Sequence, residues 1–284
     1  MTQRITLQAP AKLNLTLDIT GIAPNGYHTL DMVMHTVSLC DTVTVEPADE
    51  IKLVCPDWLP NGPKNLAWRA VELLREHAGV RRGALITLEK RIPAQAGMGG
   101  GSADAAAVLK GMNELWGLGL TVGELCKIGL ALGSDVPFAV AGGTARVSGV
   151  GEEIEPIVGI KPLWFLLAKP DGGVDTAEAY RLYDELGAAV RPDNDRLIDA
   201  MRCGDLRGMA RFGGNALQKA AIKLLPPVGD LLNRLGETGT AYAAMTGSGA
   251  AVFAVFETEG EAQAACAQLH GAAWKAVARS LDVM

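Results

Sequence analysis

From Pro10 to Ile19 the chain reads PAKLNLTLDI, and polar and apolar positions alternate without a miss. Lys12, Asn14, Thr16 and Asp18 fall on one face, and Leu13, Leu15, Leu17 and Ile19 on the other. Side chains along a strand repeat every two residues, so this pattern predicts a strand with one apolar and one polar face. In a half-buried antiparallel strand the polar face ordinarily meets water, and alternation by itself favours that reading. RITLQA before it, and LDMVMHTVSL and DTVTVEP after it, read as further strands. APNG between them reads as a turn, because Asn25 and Gly26 both tolerate positive φ.

Helical periodicity follows. Asn65 fits an N-cap, Leu66, Ala70, Leu73 and Leu74 form an apolar stripe, and Gly79 lies just past the end. ALITLEKRI predicts another strand, with Ile86 and Leu88 on either side of Thr87. A helix is expected from near Ser102, with Val108, Leu109, Met112, Leu115 and Trp116 on one face and Gly117 ending it. Thr121 caps a further helix, GELCKIGLAL, that stops at Gly133. GVGEEIEPIVGIKP is turn-rich and polar, which predicts a boundary near 150–160 and domains over 1–155 and 156–284. Beyond it the pattern gives a strand (LWFLLAKP) and three helices (TAEAYRLYDEL, NDRLIDAMRC and DLRGMARFGGNALQKAAI). Further helix and strand lie around TAYAAMTGSGAAVFAVF. Strands and helices mix without strict βαβ repetition, so the fold class is α+β.

Composition narrows the options. The chain has 284 residues, 49% hydrophobic and 20% charged, an ordinary globular balance. A formal net charge of −6 speaks against nucleic acid or an anionic membrane as the main partner. MTQRITLQAP has no apolar centre, so it does not read as a signal peptide, and no apolar run approaches the ~18 residues of a membrane span. Cys40, Cys55, Cys126, Cys203 and Cys266 are scattered without a CxxC, and the histidines form no HExxH. A reduced, cytoplasmic enzyme or binding protein without a protein-built zinc site is expected.

The chemistry concentrates in RIPAQAGMGGGSADAAAVL, from Arg91 to Leu109, where strand, glycine-rich turn and helix start follow in order. Gly97, Gly99, Gly100 and Gly101 remove the Cβ atoms that would keep a ligand from the backbone. The helix start adds unpaired N–H groups and the positive end of its dipole, which together suit a phosphate. It is not a Walker A loop, since Gly101 is followed by Ser-Ala, nor a dinucleotide fingerprint, since Ser102 holds the sixth position. On these residues alone, a flexible turn with an ordinary helix cap stands level with a phosphate site. Asp104 reads as a first-turn carboxylate complementing the dipole. Tyr27-His28 reads as an exposed loop. In GLALGSDVPF, Pro137 pushes Val136 out of the helical region and leaves Asp135 on a turn, although an N-cap for a helix from Pro137 is somewhat favoured.

Three segments in order, PAKLNLTLDITG, PAQAGMGGGSADAA and MTGSGAAVF (Met245 to Phe253), resemble the three motifs of the GHMP kinases. The resemblance implies a two-domain fold: an N-terminal ribosomal-S5-like α+β domain, a C-terminal ferredoxin-like domain, and an active site in the cleft between them. PAKLNL…NGYH, GSDVPF and KP…VDTAEAY resemble, more narrowly, the branch acting on a cytidyl diphosphate of methylerythritol. That branch phosphorylates the C2 hydroxyl in the non-mevalonate route to isoprenoid precursors. The alternatives are a sister kinase of mevalonate, homoserine or a sugar, and a nucleotide-binding homologue without turnover.

Carried over, the resemblance makes Asp135 the base and Lys12 the catalytic lysine, which turns the polar face of the first strand toward a cleft. Pro93, Ala94, Gln95, Ala96, Gly97, Met98, Gly99, Gly100, Gly101, Ser102 and Ala103 would hold ATP. Asn65 and Leu66 would meet the adenosine, although N-capping explains Asn65 equally well. Asn14 would position substrate, Tyr27 would stack on the cytosine, and His28 would bond its polar edge. Thr176 and Tyr180, at i and i+4, would supply a second wall, with Tyr where the family has Phe. Mg²⁺ is expected with ATP, but no side chain is assigned to it, because Ala103 replaces the family's second serine. The expected partner is a small molecule, with no nucleic acid or membrane, and the chain is expected as a monomer or homodimer.

Overall fold

Two long strands open the chain. The computed structural model describes residues 3–24, 26–187 and 190–281. β1 runs Ile5–Ile22 and β2 His28–Ala48, each where the pattern predicts two shorter strands. Pro10 does not interrupt β1, since the φ it fixes is compatible with extended backbone. In β2 the buried Asp41 is satisfied in place, its Oδ1 accepting from the N–H groups of Arg91 (2.6 Å) and Ile92 (2.9 Å), so the strand continues through it. Between the strands, Gly26 at φ 83° donates to the Ala23 carbonyl (2.9 Å). Asn25, expected in this turn, lies outside the described residues.

Then come β3 (Lys52–Val54), α1 (Leu66–Ala78), β4 (Gly83–Glu89), α2 (Gly100–Trp116), α3 (Val122–Leu130) and α4 (Val136–Ala141). β5 (Thr144–Gly149), β6 (Glu153–Pro156), β7 (Trp164–Lys169), α5 (Thr176–Leu186), α6 (Asn194–Cys203) and α7 (Leu206–Phe212) follow. The order closes with β8 (Gly214–Asn215), α8 (Gln218–Leu224), α9 (Pro227–Gly236), β9 (Tyr242–Met245), β10 (Val252–Phe256), α10 (Glu259–Gln268) and β11 (Trp274–Arg279). These elements form two compact units. The first takes the chain up to Ala11, Leu39–Ile92 and Gly99–Gly142; the second takes Lys12–Ser38, Pro93–Met98 and the chain from Gly143. This partition follows spatial compactness, whereas the division at residue 155 follows chain order.

In the first unit, β4 pairs antiparallel with β2 (Val45↔Ile86) and parallel with β3 (Leu53↔Ile86). α1 has the expected ends: Asn65 caps it by accepting from Ala67 N–H, and Gly79 closes it in the left-handed region. α2 starts at Gly100, ahead of Ser102, and Ala103 to Leu109 are all buried, so the helix has no solvent stripe there. Small residues make that possible. A Cβ on Gly111 would stand 2.8 Å from Leu7 Cδ1 and 2.9 Å from Val45 Cγ2.

In the second unit, β2 pairs antiparallel with β5 (Val33↔Arg146), β5 with β6 (Val147↔Ile154), and β1 runs parallel to β8 (Thr16↔Gly214). β6 lies inside the stretch expected to be turns, because its largely exposed residues carry no apolar alternation. The long helix expected over DLRGMARFGGNALQKAAI breaks into α7, β8 and α8. A Cβ on Gly213 would meet Tyr242 Cζ at 2.4 Å, and Gly214 takes φ 142°. A separate antiparallel sheet has the order β11-β7-β10-β9, which with α5 to α9 and α10 as crossovers is the expected ferredoxin-like arrangement.

His35 pins the C-terminal part of this unit. Its buried ring meets Thr144 Oγ1 at 2.7 Å through Nδ1 and Ser280 Oγ at 2.9 Å through Nε2. Burial lowers its pKa to about 4. As pH falls below about 6.5 the unfolded chain takes the proton first, so this stability is present above that pH and lost as pH falls towards 4. The loss should reach about 3 kcal/mol. Urea denaturation across that window should show it in the wild type, and the His35→Gln variant should lack this part of the pH dependence.

Candidate active site

From Lys12 to Thr16 the polar face of β1 does not meet water. Lys12, Asn14 and Thr16 are 6%, 1% and 0% exposed, as deeply buried as the leucines opposite. Burial of polar groups requires partners, and they are present. Lys12 Nζ donates to Asn14 Oδ1 (2.6 Å), and Asn14 Nδ2 points to Met32 Sδ (3.2 Å). Thr16 Oγ1 donates to Asn194 Oδ1 (2.5 Å) and accepts from Val33 N–H (2.8 Å). The Lys12 N–H reaches the Met98 carbonyl at 3.1 Å, tying the strand to the glycine loop.

Within the second unit that loop interlocks with the third motif. Ala250 N–H donates to the Gln95 carbonyl (3.2 Å) and Ala251 N–H to the Ala96 carbonyl (3.1 Å). A Cβ on Gly97, at φ 71°, would lie 2.2 Å from the Thr246 carbonyl oxygen, and one on Gly247 would lie 2.7 Å from that of Gly97. Gln95 takes φ 51°, unusual for a residue with a side chain. The fully buried Thr246 joins all three motifs: its hydroxyl accepts from Asn14 N–H (2.9 Å) and faces the Gly97 carbonyl at 3.4 Å.

α5 brings the remaining expected residues of this unit. Asp175 caps it, Thr176 Oγ1 lies 2.8 Å from Ser248 Oγ of the third motif, and one turn on Tyr180 stacks on His28. The rings are 4.8 Å apart with planes at 28°, and His28 Nε2 lies 2.8 Å from Asp184 Oδ1. Tyr27 is 69% exposed, a large aromatic at the surface beside this pair in sequence.

The first unit holds the other expected residues. Gly99, at φ 68°, precedes α2 without a side-chain cap, Gly101 is exposed and Ser102 half-buried, so the helix start is accessible. The Leu66 side chain comes within 3.6 Å of a Cβ placed on Gly101. Asn65 is engaged by the fold: Oδ1 accepts from Ala67 N–H and Nδ2 donates to the Pro60 carbonyl, both at 2.9 Å. Asp135 is half-buried, and its carboxylate makes no cap bond to α4. Val136 is nevertheless helical, contrary to the expected effect of Pro137, because it is fully buried as the first residue of α4.

Asp104 is not a first-turn carboxylate, since α2 starts early enough to place it beyond that turn. It shares the Lys90 ammonium with Asp41, at 2.5 Å from Nζ. Burial first of all, partly offset by Lys90 and reinforced by Asp41, pushes its carboxyl above the usual range. Lys90 Nζ lies 3.5 Å from a Cβ placed on Gly100, so this ion cluster underlies the helix start. Neither the cluster nor the linking role of Thr246 was read from the sequence; Thr246 lies inside MTGSGAAVF, so its motif was the available signal.

Residues 65–143 match the model of the GHMP kinases N terminal domain, and residues 186–276 that of the GHMP kinases C terminal domain. A 4-diphosphocytidyl-2-C-methyl-D-erythritol kinase of Exiguobacterium sibiricum is 44% identical over 262 residues, 91% of each chain. One of Alkaliphilus metalliredigens is 39% identical, over 93% of this chain and 91% of that one. A crystal structure of 4-(cytidine 5'-diphospho)-2C-methyl-D-erythritol kinase superposes with TM-score 0.82 and 31% identity, covering 97% of this chain and 98% of that one. Mevalonate kinase of L. major superposes with TM-score 0.72 at 16% identity over 99% of both chains, a likeness of fold alone. With two family models in order and such identity over nearly its whole length, the chain belongs to the 4-diphosphocytidyl-2-C-methyl-D-erythritol kinases of the GHMP kinase family.

Proposed function

We infer that this chain is an ATP-dependent kinase that transfers the γ-phosphoryl group to the C2 hydroxyl of 4-diphosphocytidyl-2-C-methyl-D-erythritol, in the non-mevalonate isoprenoid pathway. The observation that carries this is the 44% identity to a kinase of that name across 91% of both chains. Phosphoryl transfer asks the protein to hold the phosphates, neutralise developing charge and accept the hydroxyl proton. The loop from Pro93 to Ala103 takes the first task. The accessible start of α2 supports that role, since its N–H groups and dipole favour an anion. Leu66, beside Gly101, suits the adenosine side. Asn65 shapes that side as a helix cap.

Asp135 takes the proton. Its half-buried position at the start of α4 supports this choice. Lys12 stabilises the oxyanion, and the side-chain Oδ1 of Asn14 holds its ammonium in place. Tyr27 stacks on the cytosine, His28 bonds its edge, and Thr176 and Tyr180 complete the substrate side. Among the described residues no group of three or more His, Cys, Asp or Glu side chains could hold a metal ion. Mg²⁺ would be held by the nucleotide phosphates with the Ser102 hydroxyl or water. When bound, the ion neutralises phosphate charge. A cytoplasmic location fits the five free cysteines. Among the described residues no helix is long and apolar enough to cross a membrane.

ADP release with the cytidyl substrate tests the reading, and turnover on mevalonate or homoserine instead would overturn it. Asp135→Ala and Lys12→Ala should each lower kcat at least ~10²-fold in that assay. Tyr27→Ala should raise KM for the cytidyl substrate and leave KM for ATP unchanged, as loss of a stacked base predicts.

A further inference from the structure

His28 is held from several sides. Besides Asp184 at Nε2 and Tyr180 on its face, Tyr183 meets the ring edge-on at 6.2 Å. All three partners belong to α5. The His28 side chain is 16% exposed while that of Asp184 is 50% exposed, so the carboxylate reaches in from the surface to a sheltered ring. Asp184 lies outside the NGYH and VDTAEAY elements and has no part in the roles assigned above.

A carboxylate has no proton to give, so the contact requires the hydrogen on Nε2. In the neutral ring Nδ1 then carries a lone pair and acts as an acceptor. The two pyrimidines of ribonucleotides differ at this point of recognition: cytosine presents an amino donor at N4, and uracil presents a carbonyl acceptor at O4. Resting on the function proposed above, we propose that Asp184 is a positioning residue for base selection. It keeps the His28 proton on Nε2, so that Nδ1 accepts from the cytosine amino group and opposes the uracil carbonyl. Two acceptors facing each other leave both unpaired, and a site built for one hydrogen-bond pattern rejects the other strongly.

The test combines kinetics with a direct reading of the proton. Nitrogen-15 NMR of the full wild-type chain should show His28 protonated on Nε2. Asp184→Asn offers an amide that can donate to Nε2 and drive the proton to Nδ1, whereas Asp184→Ala leaves the ring without a fixed tautomer. At saturating ATP, kcat/KM should be measured for the cytidyl substrate and its uridyl counterpart. The cytidyl-to-uridyl ratio should narrow about tenfold or more in Asp184→Asn and less in Asp184→Ala, with KM for ATP unchanged. Asp184→Glu should retain the wild-type ratio. Equal losses on both substrates, an unchanged ratio in both variants, or a wild-type ring protonated on Nδ1 would overturn the proposal. Should the wild type phosphorylate neither substrate, the function reading fails by itself. Calorimetric binding of cytidine and uridine diphosphate to wild type and Asp184→Asn then decides the role of Asp184.

Discussion

A single buried hydroxyl organises the second unit. Thr246 accepts from the backbone of Asn14 on β1 and faces the Gly97 carbonyl of the glycine loop, while its own N–H donates to Ala251 at 3.0 Å. Three stretches far apart in sequence thus converge on one side chain. Gly97 and Gly247 make this possible, because backbone from the two motifs approaches to distances that a Cβ on either would forbid. The Pro93–Met98 part of the loop is therefore shaped by the protein's own hydrogen bonds.

α5 extends that order to His28. Its first residue, Thr176, bonds to the third motif through Ser248, and its next turn holds His28 through Tyr180 and, beyond, Asp184. One helix thus contacts the third motif at its start and His28 along its length. The buried polar row of β1 belongs to the same unit, with Asn14 set between the Lys12 ammonium and Met32.

Much of this was legible in the sequence where local signals and tertiary packing agree. α5 and α6 span the expected TAEAYRLYDEL and NDRLIDAMRC, and the structure adds Asp175 and Asp193 as their caps. Asn65 and Gly79 bound α1 for the same reason. Reading failed where a distant partner decides. β6 has no apolar rhythm and exists because β5 offers it a ladder. The break at Gly213 depends on Tyr242, whose ring needs the space a side chain would fill. Alternation in β1 located the strand but not its surroundings, since a polar face buried against partners and one facing water look alike in sequence. The candidate residues were found by resemblance of motifs, whereas the Lys90 cluster and Thr246 depend on contacts that no spacing records.

The edge formed by β6 has a consequence beyond the single molecule. It pairs with β5 on one side, and its sequence, Glu153-Ile-Glu-Pro156, sets carboxylates at alternate positions and ends on a residue without an N–H. A neighbouring chain approaching to add a strand would confront negative charge and an incomplete ladder. The same residues that made this stretch unreadable as a strand thus disfavour strand addition at this edge.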